Sequence, residues 1–334
     1  MTDTKLSRHE VYRSAERLRG RVVETPLLPS ADFSDRMGRT VLVKAENMQH
    51  GGSFKYRGAL NALMSLSLDR RSRGVIAASS GNHGLALALA GEQLRVPVTV
   101  VLPEDAPLAK RRAIEQLGAT VIPYDRREGG RDAVVQVEAH RHGLAVIPSA
   151  EHRAVITGAG TLALEMLRAA PNLRAILVPL GGGALAAGTA LVGTGVEVIG
   201  VEPAVADDTH RSIREGRIVR IPAPLTIADG LDHTAPPDLT FKINRRLLTD
   251  VITVPEPAIA DAMTYLWRHW GLKAEPSGAV ALAGVVQAVE RLPRGPVGVV
   301  LSGGNVDWHN YQSLLASSMG RTDPYDQPAV SVPH

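Results

Sequence analysis

Runs of aliphatic and β-branched residues recur along the chain, and between them lie longer stretches whose apolar positions return every three or four residues. The runs are VLVKAE from Val41, GVIAAS from Gly74, VTVVLP from Val98, ATVIPYD from Ala119, AILVPL from Ala175, EVIGVEP from Glu197 and VGVVLS from Val297. They are apolar on successive residues rather than on alternate ones, the pattern of strands covered on both faces. The stretches between include GLALALAGEQLR from Gly84, AKRRAIEQLG from Ala109, RDAVVQVEAHRHG from Arg131 and EPAIADAMTYLWRHWG from Glu256. These carry the helical period, and several stop at glycine, which tolerates the left-handed backbone of a helix C-terminus. Strands alternating with helices predict an α/β fold of open, parallel-type sheets with helices on both faces. No repeat or low-complexity linker divides the chain, and the residues after Asn310 are expected to form a terminal helix and a tail.

Composition narrows the function classes. With 334 residues the chain is long enough for two lobes, and 44% hydrophobic with only 4% aromatic residues means a core of Ala, Val, Leu and Ile. Net charge is +3 and the basic residues are interspersed with acids, so no basic stripe points to nucleic acid. Cysteine is absent, which excludes disulfides, thiolate metal sites and a Cys nucleophile. The polar N-terminus MTDTKLSRHEVYRSAERLRG lacks a signal-peptide core and no apolar run spans a bilayer, so a cytoplasmic protein without membrane contact is expected.

Four segments place reactive side chains beside glycine clusters, three of them directly after a strand, where open α/β sheets bind ligands. In GGSFKYRGALNAL from Gly51, Lys55 opens a helix with Arg57 close by, and both features disfavour its ammonium form, as Schiff-base chemistry requires. A plain surface lysine in a first turn fits the segment equally. SSGNHGLALALA from Ser79 is either an ordinary turn and cap or a carboxylate site at a helix N-terminus. Its His83 has a side chain that can titrate near neutrality, although a histidine in a turn more often serves as a hydrogen-bonding partner. PLGGGALAAG from Pro179 gives backbone amides room to wrap a phosphate, or gives a helix room to pack closely. It is not a dinucleotide fingerprint, because the G-x-G-x-x-G spacing is not met. VVLSGGNVD from Val299 ends a strand at Ser302, whose hydroxyl could meet a heteroaromatic nitrogen.

Taken in order, SFKYRG, SSGNHG, GGGALAAG, EPSGAVALAG and SGGNVD resemble the fold-type II pyridoxal-phosphate enzymes, specifically the serine/threonine dehydratase and serine racemase family. The resemblance covers nearly the whole chain. It implies a two-lobed fold of the tryptophan synthase β kind, with pyridoxal 5'-phosphate in the cleft, and a homodimer. The large domain would join residues 1–73 to 151–320, the inserted small domain would be 74–150, and 321–334 would be a tail. The resemblance also implies roles for matching residues. Lys55 would be the Schiff-base lysine and the base at Cα, Phe54 would lie against the ring, and Asn82 would meet the cofactor's 3-hydroxyl. Gly181, Gly182, Gly183 and Ala184 would cradle the phosphate, and Ser302 would face the pyridine nitrogen. Ser79, Ser80, Gly81, Asn82 and His83 would grip the carboxylate of an amino-acid substrate, and Ser80 is the second catalytic candidate, handling the Cα proton from the opposite face. Glu202, Ala206 and Asp208 would hold a divalent cation, Mg²⁺ or Ca²⁺.

The implied reaction is loss of water from a small 3-hydroxy amino acid to give a 2-oxo acid and ammonia, with racemisation as the alternative. A β-replacement enzyme and a pseudoenzyme that binds the cofactor or an amino acid are the rivals. One departure bears on substrate: IPSAEHRAVITGAGT from Ile147 places Ser149, His152 and Ala159 where the family has other residues. A more polar or bulkier substrate than serine or threonine, such as 3-hydroxyaspartate or phenylserine, is therefore open.

Overall fold

The computed structural model describes residues 6–79, 81–106, 108–125 and 130–319. Ten strands form two sheets. They are β1 (Leu27–Pro29), β2 (Val41–Ala45), β3 (Val75–Ala78), β4 (Val98–Pro103), β5 (Thr120–Tyr124), β6 (Ala145–Val146), β7 (Ala175–Pro179), β8 (Glu197–Pro203), β9 (Asp250–Val254) and β10 (Val297–Leu301). The larger sheet has the order β1-β2-β10-β7-β8-β9 and the smaller β5-β4-β3-β6. Every pairing is parallel except β1 with β2.

The continuous apolar runs explain which strands are central. All five residues of β7 and all five of β10 are buried, as expected where helices cover both faces. By contrast β5, at the edge of the smaller sheet, has no buried residue. One core cluster packs the Lys55–Ser65 helix and its neighbours against the larger sheet, and a second packs Val41, Leu177 and Val299 against the Glu256–Trp270 and Pro276–Gln287 helices. A third, smaller cluster joins Ile76 and Val101 to Val135 and Ala139 of the Arg131–His142 helix.

Two glycines fix the helix that begins at Lys55. A Cβ on Gly58 would lie 2.9 Å from the Val155 carbonyl, and one on Gly158 would lie 2.6 Å from the Arg57 carbonyl. Only hydrogen on both sides lets the Lys55–Ser65 and Arg153–Ala159 helices meet backbone to backbone. The predicted helices are present, and those from Arg131 and Glu256 end on Gly143 and Gly271 in the left-handed conformation. The terminal helix is Trp308–Met319, opening two residues before Asn310. Among the described residues no helix is long and apolar enough to cross a membrane.

Candidate active site

Strand ends and glycine turns bring the predicted segments together. Gly51 and Gly52 adopt positive φ in the turn before Lys55. The turn docks on the end of β10: Phe54 N–H donates to the Ser302 carbonyl at 3.0 Å, and Ser53 bridges Gly303. Lys55 is the first residue of its helix, with Nζ 4.9 Å from the centre of the Phe54 ring. Its amine is pulled from 10.5 down to about 8 by burial, and the carboxylate of Glu275 opposes the fall. Burial rather than Arg57 is the cause. Arg57 turns away from the cleft and is held by Glu46 at 2.7 Å and Glu165 at 2.6 Å.

Asn82 begins the Asn82–Leu94 helix and sits between two partners. Its amide donates to Glu275 Oε1 at 2.6 Å, and its carbonyl oxygen accepts from Asn305 at 2.8 Å. Asn305 also donates to the Gly51 carbonyl at 2.6 Å, which ties this helix start to the turn carrying Lys55. Gly81 N–H donates to the Ser79 hydroxyl at 3.3 Å. Ser80 lies outside the described residues. His83 is buried, with Nε2 2.8 Å from the Ile147 carbonyl and Nδ1 without a partner. Burial, then the charge of Lys55, lowers its pKa to about 4. Its imidazole is therefore neutral at neutral pH and does not titrate there.

The triple-glycine turn closes β7 and starts the Ala184–Val192 helix. Each glycine is enforced by its surroundings. A Cβ on Gly181 would lie 3.0 Å from Leu231 Cα, one on Gly182 2.7 Å from the Ala150 side chain, and one on Gly183 2.5 Å from Asn244. Gly183 also has φ 80°, and its carbonyl accepts from Asn244 at 3.2 Å. A turn that excludes side chains and leads into a helix N-terminus is an oxyanion cradle, so it fits a phosphate. Ser302 fits the other end of such a group: it is buried, and it directly follows the last residue of β10.

Three further side chains, none of them singled out in the sequence analysis, shape this cleft. Glu275, at the N-cap of the Pro276–Gln287 helix, is the acid facing Lys55 and Asn82. Asn305 joins Asn82 to the Gly51 turn. His233 packs on the glycines, with its ring 3.1 Å from the Cβ positions of both Gly181 and Gly182. Burial, then Lys55 and Arg131, holds its pKa at about 4. Of the residues that depart from the family pattern, His152 is the N-cap of the Arg153–Ala159 helix with a buried, unpartnered Nδ1, and Ala159 is buried within that helix.

Glu202, on β8, and Asp208, opening the Asp208–Glu215 helix, are both buried, as is Ala206 between them. Glu202 accepts from the N–H groups of Thr209 at 3.2 Å and His210 at 2.9 Å. Among the described residues neither carboxylate oxygen of Asp208 has a partner from another residue. Burial, reinforced by Asp208, pushes Glu202 well above the usual carboxylate range, and burial raises Asp208 to about 7. Two inward carboxylates beside a backbone carbonyl form a donor set that fits a hard divalent cation, although no group of three or more ligating side chains occurs among the described residues.

Known proteins bear on this geometry. The family described as "Pyridoxal-phosphate dependent enzyme" matches residues 18–303. L-threo-3-hydroxyaspartate ammonia-lyase of Saccharomyces cerevisiae is 41% identical over 92% of this chain and 95% of its own. Serine racemase of Schizosaccharomyces pombe is 37% identical over 92% and 96%. The crystal structure of serine racemase from Dictyostelium discoideum superposes with a TM-score of 0.86 at 36% identity, covering 90% of this chain and 99% of that one. The lysine, the glycine turn and the serine thus stand in a chain that belongs to the fold-type II pyridoxal-phosphate dependent enzymes, beside the ammonia-lyases and serine racemases.

Proposed function

We propose that this enzyme removes water from 3-hydroxyaspartate or a closely similar 3-hydroxy amino acid, giving a 2-oxo acid and ammonia. The observation that carries the reading is the Lys55 amine, brought by burial to about 8 and set between the Ser302 strand end and the glycine turn. Pyridoxal phosphate, when bound, supplies an electron sink for charge developing at the substrate Cα. The amides of Gly181 to Ala184 would hold its phosphate, Ser302 its ring nitrogen and Asn82 its 3-hydroxyl, with Phe54 against the ring. The turn from Ser79 to His83 holds the substrate carboxylate, and Lys55 Nζ removes the Cα proton. The unit of residues 74–150 closes on the substrate and excludes water while charge is on carbon.

One point favours a substrate with a second carboxylate: relatives carry the name L-threo-3-hydroxyaspartate ammonia-lyase in two organisms. Racemisation at Cα is the second reading. It is favoured by the serine racemases among the relatives and depends on Ser80. A divalent cation at Glu202, Ala206 and Asp208, and a homodimer, complete the proposal.

The test is a substrate panel of L-threo- and erythro-3-hydroxyaspartate, L- and D-serine, L-threonine and phenylserine, followed for oxo acid, ammonia and enantiomer. Oxaloacetate from 3-hydroxyaspartate, abolished in Lys55→Ala, is expected. Incorporation of an added thiol without oxo acid would replace elimination by β-replacement.

A further inference from the structure

Remote from the cleft, a pocket of about 170 Å³ opens between the Arg8–Leu18, Lys55–Ser65 and Arg153–Ala159 helices. Its wall carries three guanidinium groups, Arg13, Arg17 and Arg153, against one carboxylate, Glu10. Three positive charges less one negative leave a lining charge of +2. Glu10 has little left to offer Arg13 and Arg17, because its Oε2 accepts from Ser7 N–H at 2.9 Å and its Oε1 from Arg153 at 2.9 Å. Arg17 is held by a neutral acceptor, Asn61 Oδ1, at 2.5 Å. Burial, then the like charges of Arg13 and Arg71, disfavours its guanidinium. Crowded cations around a concave space attract a multivalent anion, and guanidinium forks match the paired oxygens of phosphate.

The floor is polar and preorganised. Ser14 donates to Thr157 Oγ1 at 2.8 Å, and the Asn61 amide donates to Ser14 at 3.0 Å and to the Ala154 carbonyl at 2.7 Å. Ser14 and Thr157 thus set two hydroxyl groups in the pocket wall beneath the arginines. A water molecule takes about 30 Å³ in the liquid, so the volume admits a phosphate group with its waters but no nucleoside. Asn61 is six residues along the helix from Lys55, about 9 Å at 1.5 Å per residue, so the pocket is separate from the glycine turn.

We infer that this pocket is a second anion site, taking a phosphate-type oxyanion on the face of the catalytic lobe formed by the first helix. An anion there neutralises Arg13 and Arg17 together and clamps the first helix to the one that carries Lys55.

The test is calorimetric titration of the holoenzyme, saturated with pyridoxal phosphate, with inorganic phosphate and separately with glycerol phosphate, against chloride at equal ionic strength. One saturable site per chain is expected, weakened at least tenfold in Arg13→Gln and in Arg17→Gln. Arg13 is exposed, so its variant retains the fold, which is verified by unchanged unfolding in chloride. Binding of both probes assigns the site to phosphate monoesters, and binding of inorganic phosphate alone assigns it to the free ion. No saturable heat, or binding that Arg13→Gln leaves intact, overturns the proposal.

Discussion

Glu46 and Glu202 are both 0% exposed, and their surroundings are opposite. Glu46 lies in a cluster of two acids and two bases: Arg57 binds it at 2.7 and 2.8 Å and Glu165 at 2.6 and 2.9 Å, while Lys44 binds Glu165 at 2.5 Å. Burial pushes the Glu46 carboxyl up, yet Arg57, with Thr25 and Lys44, more than reverses it and leaves it below the usual range. Glu202 is buried with Asp208 for a neighbour and only neutral donors, from Thr209 and His210, so its carboxyl stays well above that range. The first cluster is closed and needs nothing further; it pins β2 to the Lys55 helix. The second is two acids with neutral donors, and either a proton or the proposed cation would balance it. Charge balance within a buried group thus separates a closed cluster from one that responds to its surroundings.

The sharpest way to break the comparison is Arg57→Met. It leaves buried Glu46 and part-buried Glu165 with Lys44 as their remaining base, and uncompensated buried charge costs about 3–5 kcal/mol. Urea unfolding should show a loss of that size, and a loss below about 1 kcal/mol would mean that the cluster is not what holds the helix. The carboxylate pair should respond to an ion instead. After chelation, Mg²⁺ or Ca²⁺ at a hundredfold excess over its dissociation constant should stabilise the protein by about 2.7 kcal/mol. Asp208→Asn should lose most of that gain, and an equal gain in both proteins would remove the cation from this site.

How much of this was legible in the chain depends on the distance over which each feature is built. Strands β4 and β8 run over VTVVLP and EVIGVEP as the pattern predicts, because clustered Val, Ile and Leu residues are a local signal. Strands β1 and β6 have three and two residues, too few to show any period. β9, DVITV, opens on an exposed Asp250 at the sheet edge and passed unmarked. Lys55, Asn82, the glycines and Ser302 stood out because each lies in or beside a glycine-rich turn. The partners of these residues did not: Asn82 and Glu275 are 193 residues apart, and Arg57 and Glu165 are 108 apart. Arg57 looked like a neighbour of Lys55 by sequence spacing, but on a helix two residues correspond to about 200°, which turns it to the other side.

Lys55 stands between the two clusters, since burial disfavours its charge while Glu275 favours it, and Glu275→Gln separates the two effects. Covalent capture of pyridoxal phosphate by the apoenzyme needs a neutral amine. Burial makes that form available, with the half-point at about 8 instead of 10.5, while Glu275 holds the amine partly charged. Capture should therefore speed up with rising pH and level off above about 8 in the parent protein. Glutamine keeps an oxygen for the Asn82 amide but removes the charge, so the half-point should move to lower pH. Each unit of that displacement corresponds to about 1.4 kcal/mol of lost attraction between carboxylate and ammonium. Stopped-flow absorbance across pH 6 to 10 reads the displacement directly. An unmoved or upward half-point would show that Glu275 acts on Asn82 alone, and burial would then be the sole cause of the lysine's reactivity.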